Sequence, residues 1–174
     1  MDFGDLLTID GIIPSLRAKD KKEALQELSR RASELTGLGE REVFDALLQR
    51  ERLGSTGFGR GIAIPHVKFR ALKNIACIFA RVTEPISFES PDGEPVDIIF
   101  LLLGPEHASG DHLKALARIS RLVRDPKALE RLRATRDKGR YAGKRRTRHR
   151  AARHGFGAGG APLPPQGPLV RARG

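Results

Sequence analysis

Leu53-Gly54-Ser55-Thr56-Gly57-Phe58-Gly59-Arg60-Gly61-Ile62-Ala63-Ile64-Pro65-His66 is the stretch that organises this chain. Its glycines at 54, 57, 59 and 61 mark backbone that must turn tightly or approach another group closely. Gly61 to Pro65 then reads as a short strand, which Pro65 ends or confines to an edge. His66 stands just past that strand. Upstream, residues 20–36 predict a helix: Asp20 and Glu23 form a capping box, Ala24, Leu25, Leu28, Ala32 and Leu35 recur at helical spacing, and Gly37 closes it. A second helix covers about 40–51, with Val43, Phe44, Leu47 and Leu48 as its stripe. Downstream, Ile75 to Val82 and Val96 to Leu103 are apolar and β-branched enough for buried strands, with Pro91-Asp92-Gly93 as turn chemistry between them. Gly110-Asp111 precedes a third helix. Asp125-Pro126 opens a last one, through about Arg133, and Thr8 to Leu16 adds a further candidate strand. Helices on both sides of short buried strands make an α/β sandwich.

The charge is unevenly placed. The chain has 174 residues and a formal net charge of +11, but residues 138–174 hold ten basic residues and no acidic ones, leaving residues 1–137 close to neutral. That tail runs from Lys144-Arg145-Arg146-Thr147-Arg148-His149-Arg150 into Gly- and Pro-rich sequence without a period, the composition of a disordered arm. We therefore divide the chain into a folded domain, 1–137, and a tail, 138–174. The longest apolar run, Ile98 to Leu103, is far short of the roughly 20 residues of a membrane-spanning helix. The acidic opening Met1-Asp2-Phe3-Gly4-Asp5 does not read as a secretion signal. A single cysteine forms no internal disulfide and points to a reducing compartment, the cytoplasm. Nucleic acid is a weak alternative partner. The tail's cations would give strongly salt-dependent binding, but only Tyr141 and Phe156 are there to stack on bases.

Two histidines and an arginine carry the chemistry. His66, at a strand end behind a glycine loop, suits a nucleophile or acid–base group, or else a histidine that hydrogen-bonds locally. His112 lies in the first turn of the third helix, where N–H groups favour anions, or is simply water-exposed there. Arg50 ends the second helix before the glycine loop, a place that also favours a cation through the helix dipole. Lys68 reads as a solvated loop lysine. Together these groups suggest phosphate handling: a neutral imidazole attacks phosphorus while a second imidazole and a guanidinium hold the equatorial oxygens. No carboxylate cluster marks a Mg²⁺ site, no Gly-Lys-Ser/Thr makes the loop a P-loop, and the loose His107/His112 spacing makes a poor metal pair.

The Gly61-Ile62-Ala63-Ile64-Pro65-His66 string behind Ser55-Thr56-Gly57, followed by Asp111-His112-Leu113 before an apolar helix, closely resembles enzyme IIA components of the bacterial phosphotransferase system. The subgroup is the fructose/mannitol type, which includes the nitrogen-regulatory enzyme IIA, and the resemblance covers about residues 1–137. It implies a mixed central sheet of about five strands flanked by helices on both faces. It implies that a phosphohistidine on an HPr-like carrier passes its phosphoryl group to His66. His112 would stabilise that group, Arg50 would neutralise its charge, and Ser55 and Thr56 would line the pocket. The reaction implied needs no metal and no organic cofactor. The short chain and its opening resemble the nitrogen-regulatory branch, with regulatory proteins as targets. The alternative is a sugar-uptake component passing phosphate to an enzyme IIB cysteine. One departure stands out: after about Asp137 the family's last apolar helix gives way to Arg, Gly, Ala and Pro. We expect a shifted reading frame or an unusual extension there, an idea that fails if the coding DNA holds no apolar helix in another frame.

Overall fold

The computed structural model describes residues 3–134. The tail and its reading-frame question lie outside them. A one-turn helix α1 (Phe3–Leu6) and a 3₁₀ turn (Ile9–Gly11) lead into β1 (Ile12–Leu16), α2 (Lys21–Thr36) and α3 (Glu40–Arg52). Three short strands follow, β2 (Gly57–Gly59), β3 (Ile62–Ala63) and β4 (His66–Phe69), then the long β5 (Ala76–Ile86) and β6 (Val96–Pro105). A 3₁₀ turn (Glu106–Ala108), α4 (Ser109–Arg124) and α5 (Pro126–Ala134) complete the described chain.

Local sequence explains the helix ends. The Asp20 carboxylate accepts the Glu23 N–H at 2.8 Å while Glu23 reaches back to the Lys19 N–H at 3.1 Å, and Gly37 closes α2 at φ 77°. The sheet is mixed, in the order β1-β5-β6-β3-β2, with β4 also on β6. β5 and β6 run antiparallel, whereas β1–β5, β3–β6 and β4–β6 are parallel.

The described residues form six strands where about five were expected: the strand read at 61–65 is β3, ending before Pro65, and the short strands β2 and β4 flank it. β3 pairs with Ile98 and Ile99, and β4 with Leu102 to Pro105, so the two occupy successive parts of one edge of β6. Between them Pro65 has no N–H to give the ladder, and Ile64 N–H turns aside to Thr56 O at 2.9 Å. His66, just past β3, therefore opens a strand of its own.

β6 explains the Ile98–Leu103 run: both of its faces are covered. Ile99, Leu101 and Leu103 join Ile78, Ala80 and Val82 under α2 and α3, packed against Leu25, Leu28, Val43 and Leu47. Ile98, Phe100 and Leu102 join Cys77 and Phe79 under α4 and α5, against Ala115, Ile119, Val123 and Leu129. Phe79 and Phe100 are register partners with ring centroids 5.1 Å apart. No helix among the described residues is long and apolar enough to cross a membrane. Phe100→Ala should cost about 3–5 kcal/mol of unfolding free energy in urea, and Asp20→Ala about 1 kcal/mol, since one empties the core and the other removes a cap.

Candidate active site

His66 is oriented by the interruption that creates β4. Its Nδ1 lies 2.7 Å from Ile64 O, two residues back. A carbonyl oxygen only accepts, so Nδ1 carries the hydrogen, and the neutral ring keeps its lone pair on Nε2. The ring is half-buried.

His112 reaches the same place from α4. It sits in the first turn of α4 and is 3% exposed, its ring centroid 6.1 Å from that of His66 at a 52° tilt. Space for it comes from Gly104, which pairs with Lys68 in the β4–β6 ladder. A Cβ at Gly104 would overlap the His112 ring at Nδ1, with Cγ and Cε1 only 3.2 and 3.3 Å away. His112 Nδ1 is buried without a hydrogen-bond partner. Burial holds the His112 pKa below its ordinary 6.5, and the neighbouring basic groups of His66 and Lys68 push it the same way. Lys68 itself is anchored outside, its Nζ donating to Ser109 Oγ at 3.0 Å.

The glycine loop is built on a buried charge that sequence reading missed. Glu51 is 7% exposed and pairs with Lys21 Nζ at 2.6 Å. Its carboxylate also accepts the Thr56 N–H, at 3.1 Å to Oε2, and the Thr56 hydroxyl. Lys21 Nζ lies 4.8 Å from the centre of the Phe88 ring. The available signal was an acidic residue in the last turn of α3, where the helix dipole disfavours it. Ser55 Oγ donates to Phe88 O at 2.6 Å and accepts the Gly57 N–H at 3.0 Å. Arg50 Nη1 donates to Gly54 O at 2.9 Å. So the structure brings His66 and His112 together. It engages both hydroxyls of Ser55 and Thr56 inside the fold, and it holds Arg50 on the loop backbone.

Two imidazoles so placed can touch one small tetrahedral anion from two sides, with the bare Nε2 of His66 as the attacking atom. Among the described residues no group of three or more His, Cys, Asp or Glu could hold a metal ion, and His107 joins no such group.

Comparison with known proteins gives consistent relatives. The sequence profile of the family described as "Phosphoenolpyruvate-dependent sugar phosphotransferase system, EIIA 2" matches residues 5–140. A nitrogen regulatory protein of Bradyrhizobium diazoefficiens is 56% identical over 137 residues, covering 79% of this chain and 90% of that protein. The fructose-specific EIIA component of the phosphotransferase system of Haloferax volcanii is 35% identical over 136 residues, 76% of this chain and 88% of that one. In three dimensions the chain resembles the crystal structure of nitrogen regulatory protein IIA-Ntr from Neisseria meningitidis, with a TM-score of 0.77 and 34% identity. That likeness covers 80% of this chain and 96% of that one.

The lowered His112 pKa has a stability consequence. The unfolded chain takes up a proton near 6.5, before the folded chain does, so His112's contribution is intact above 6.5 and is lost as pH falls through the lower folded value. Urea unfolding between about pH 7.5 and about pH 5 should show stability declining with acid, and His112→Phe should flatten that decline. In Gly104→Ala the displaced ring should titrate closer to 6.5 by proton NMR.

Proposed function

The chain belongs to the EIIA 2 family of the phosphoenolpyruvate-dependent sugar phosphotransferase system, and on that premise we propose that it is a phosphoryl carrier with His66 as acceptor. The observation that carries this reading is the Nδ1–H bond from His66 to Ile64 O, which leaves Nε2 as the nucleophile. In the step, Nε2 attacks the phosphorus of a phosphohistidine on an HPr-like donor. A new N–P bond forms as the donor's N–P bond breaks, and the donor imidazole departs with that bond's electron pair. Both sides are phosphohistidines, so the exchange is close to balanced and suits a reversible relay.

His112, held neutral by burial, lends a hydrogen-bonding imidazole to the transferring group without competing as an acceptor. Arg50 supplies the positive charge, turning to the phosphoryl oxygens from the loop that its bond to Gly54 O already follows. Ser55 and Thr56 shape the loop around the pocket, chiefly through their bonds to Phe88 O and Glu51.

The regulatory branch of the family fits this chain better than the sugar-uptake branch. The nitrogen regulatory protein of Bradyrhizobium diazoefficiens is 56% identical, against 35% for the fructose-specific component of Haloferax volcanii. On this reading the phosphorylation state of His66 controls docking to cytoplasmic regulatory proteins. The sugar-uptake reading, supported by the fructose-specific relative, adds onward transfer to an enzyme IIB cysteine.

Incubation with enzyme I, an HPr-like carrier and labelled phosphoenolpyruvate should give acid-labile, base-stable label on the wild type and none on His66→Ala. Arg50→Ala should lower the transfer rate by roughly a hundredfold, and His112→Gln by roughly tenfold, as expected for lost charge-stabilising donors. Absence of label on folded wild type refutes the carrier reading. Rapid discharge to an added enzyme IIB selects the sugar-uptake branch.

A further inference from the structure

The turn at Arg60-Gly61 is held by a side chain from the far end of the described chain. Arg60 adopts φ 57°, a left-handed conformation that a non-glycine residue keeps only when its surroundings impose it. Both of its peptide groups are gripped by charge. Its N–H donates to Asp92 Oδ2 at 2.9 Å, and its carbonyl accepts from Arg133 Nη2 at 2.5 Å. Arg133, in the last turn of α5, also forks onto Asp97, with Nε to Oδ2 at 2.9 Å and Nη2 to Oδ1 at 3.0 Å. Gly61 follows at φ 81°, and a Cβ there would lie 2.7 Å from Arg133 Nη2 and 2.8 Å from Asp97 Oδ1. Gly61 is therefore needed both for its backbone angle and for room beneath the guanidinium. A second arginine ties the loop to the same face of the sheet, with the Arg124 guanidinium 5.9 Å from the centre of the Phe58 ring.

This turn is coupled to His66 through a short run of backbone. Gly61 O accepts the N–H groups of Asp97 and Ile98 at 2.9 and 3.1 Å, which sets where β3 begins against β6. β3 is only Ile62–Ala63, and the next residue, Ile64, supplies the carbonyl that orients His66. We propose that Arg133 is a positioning residue for phosphoryl transfer at His66: by clamping the Arg60 carbonyl and Asp97 together it fixes the register of β3 and hence the direction of Ile64 O. The inference rests on the carrier reading above. A partly exposed ion pair adds little to stability on its own, so the consequence of the clamp lies in geometry.

The test compares full-length wild type, Arg133→Ala, Arg133→Lys and Leu129→Ala, each checked as folded at the assay temperature. Single-turnover transfer from a labelled HPr-like carrier is measured against donor concentration, with amide hydrogen exchange at Asp97 and Ile98 alongside. Arg133→Ala should lose roughly tenfold or more in the saturated rate, with the half-saturating donor concentration unchanged, because aim and not docking is impaired. Its Asp97 and Ile98 amides should exchange faster. Arg133→Lys should fall between the two, since a single ammonium lacks the fork. Leu129→Ala empties the core beneath the same helix but leaves the clamp in place, and should transfer at close to the wild-type rate. A wild-type rate in Arg133→Ala overturns the proposal, as does an equal loss in Leu129→Ala. Unlabelled wild type refutes the carrier reading instead. The clamp is then decided by exchange alone, where unchanged Asp97 and Ile98 amides in Arg133→Ala overturn it.

Discussion

The hydrogen bond from His66 Nδ1 to Ile64 O is the interaction on which the rest of the site depends. It selects the tautomer, aims the ring and leaves a single nitrogen free. Making it requires a carbonyl two residues back that points at the ring and not into a strand ladder. Pro65 provides the break, and the two halves of the interrupted edge are each secured to β6. An uninterrupted strand through 61–69 would place the Ile64 carbonyl in a ladder and leave His66 without this partner.

β6 serves the site at both of its ends. Its first residues receive the Gly61 carbonyl and pair with β3, and its last residues pair with β4 and make room at Gly104 for the His112 ring. Between them the strand is buried on both faces, which gives a stiff rod of apolar side chains under the two imidazoles. Burial then divides the histidines. His112 is sealed against Gly104 and resists protonation, while His66 stays half-buried and within reach of another molecule.

Much of this was legible in the sequence where the determinants are local. Asp20, Glu23 and Gly37 mark both ends of α2 because capping is decided within a few residues. The apolar run in β6 marks a two-faced buried strand for the same kind of reason. His66 and His112 stood out beside a glycine loop and a helix start, and the fold brings their rings within 6.1 Å. What was not legible depends on distant partners. The separate strand β4 after Pro65 follows from which part of β6 each segment meets. The buried Lys21–Glu51 pair and the Arg133–Asp97 fork join residues far apart in the chain, and each of these charges resembles an ordinary surface residue until the fold places it. The bonds that hold Arg50 on Gly54 O, Ser55 on Phe88 O and Thr56 on Glu51 are likewise invisible in a linear reading.

The most direct measurement of the central claim is long-range proton–nitrogen NMR of the imidazole rings in the unphosphorylated protein at neutral pH. The account predicts that His66 carries its hydrogen on Nδ1, with Nε2 resonating as a bare nitrogen. A His66 ring protonated on Nε2, with Nδ1 bare, would contradict it.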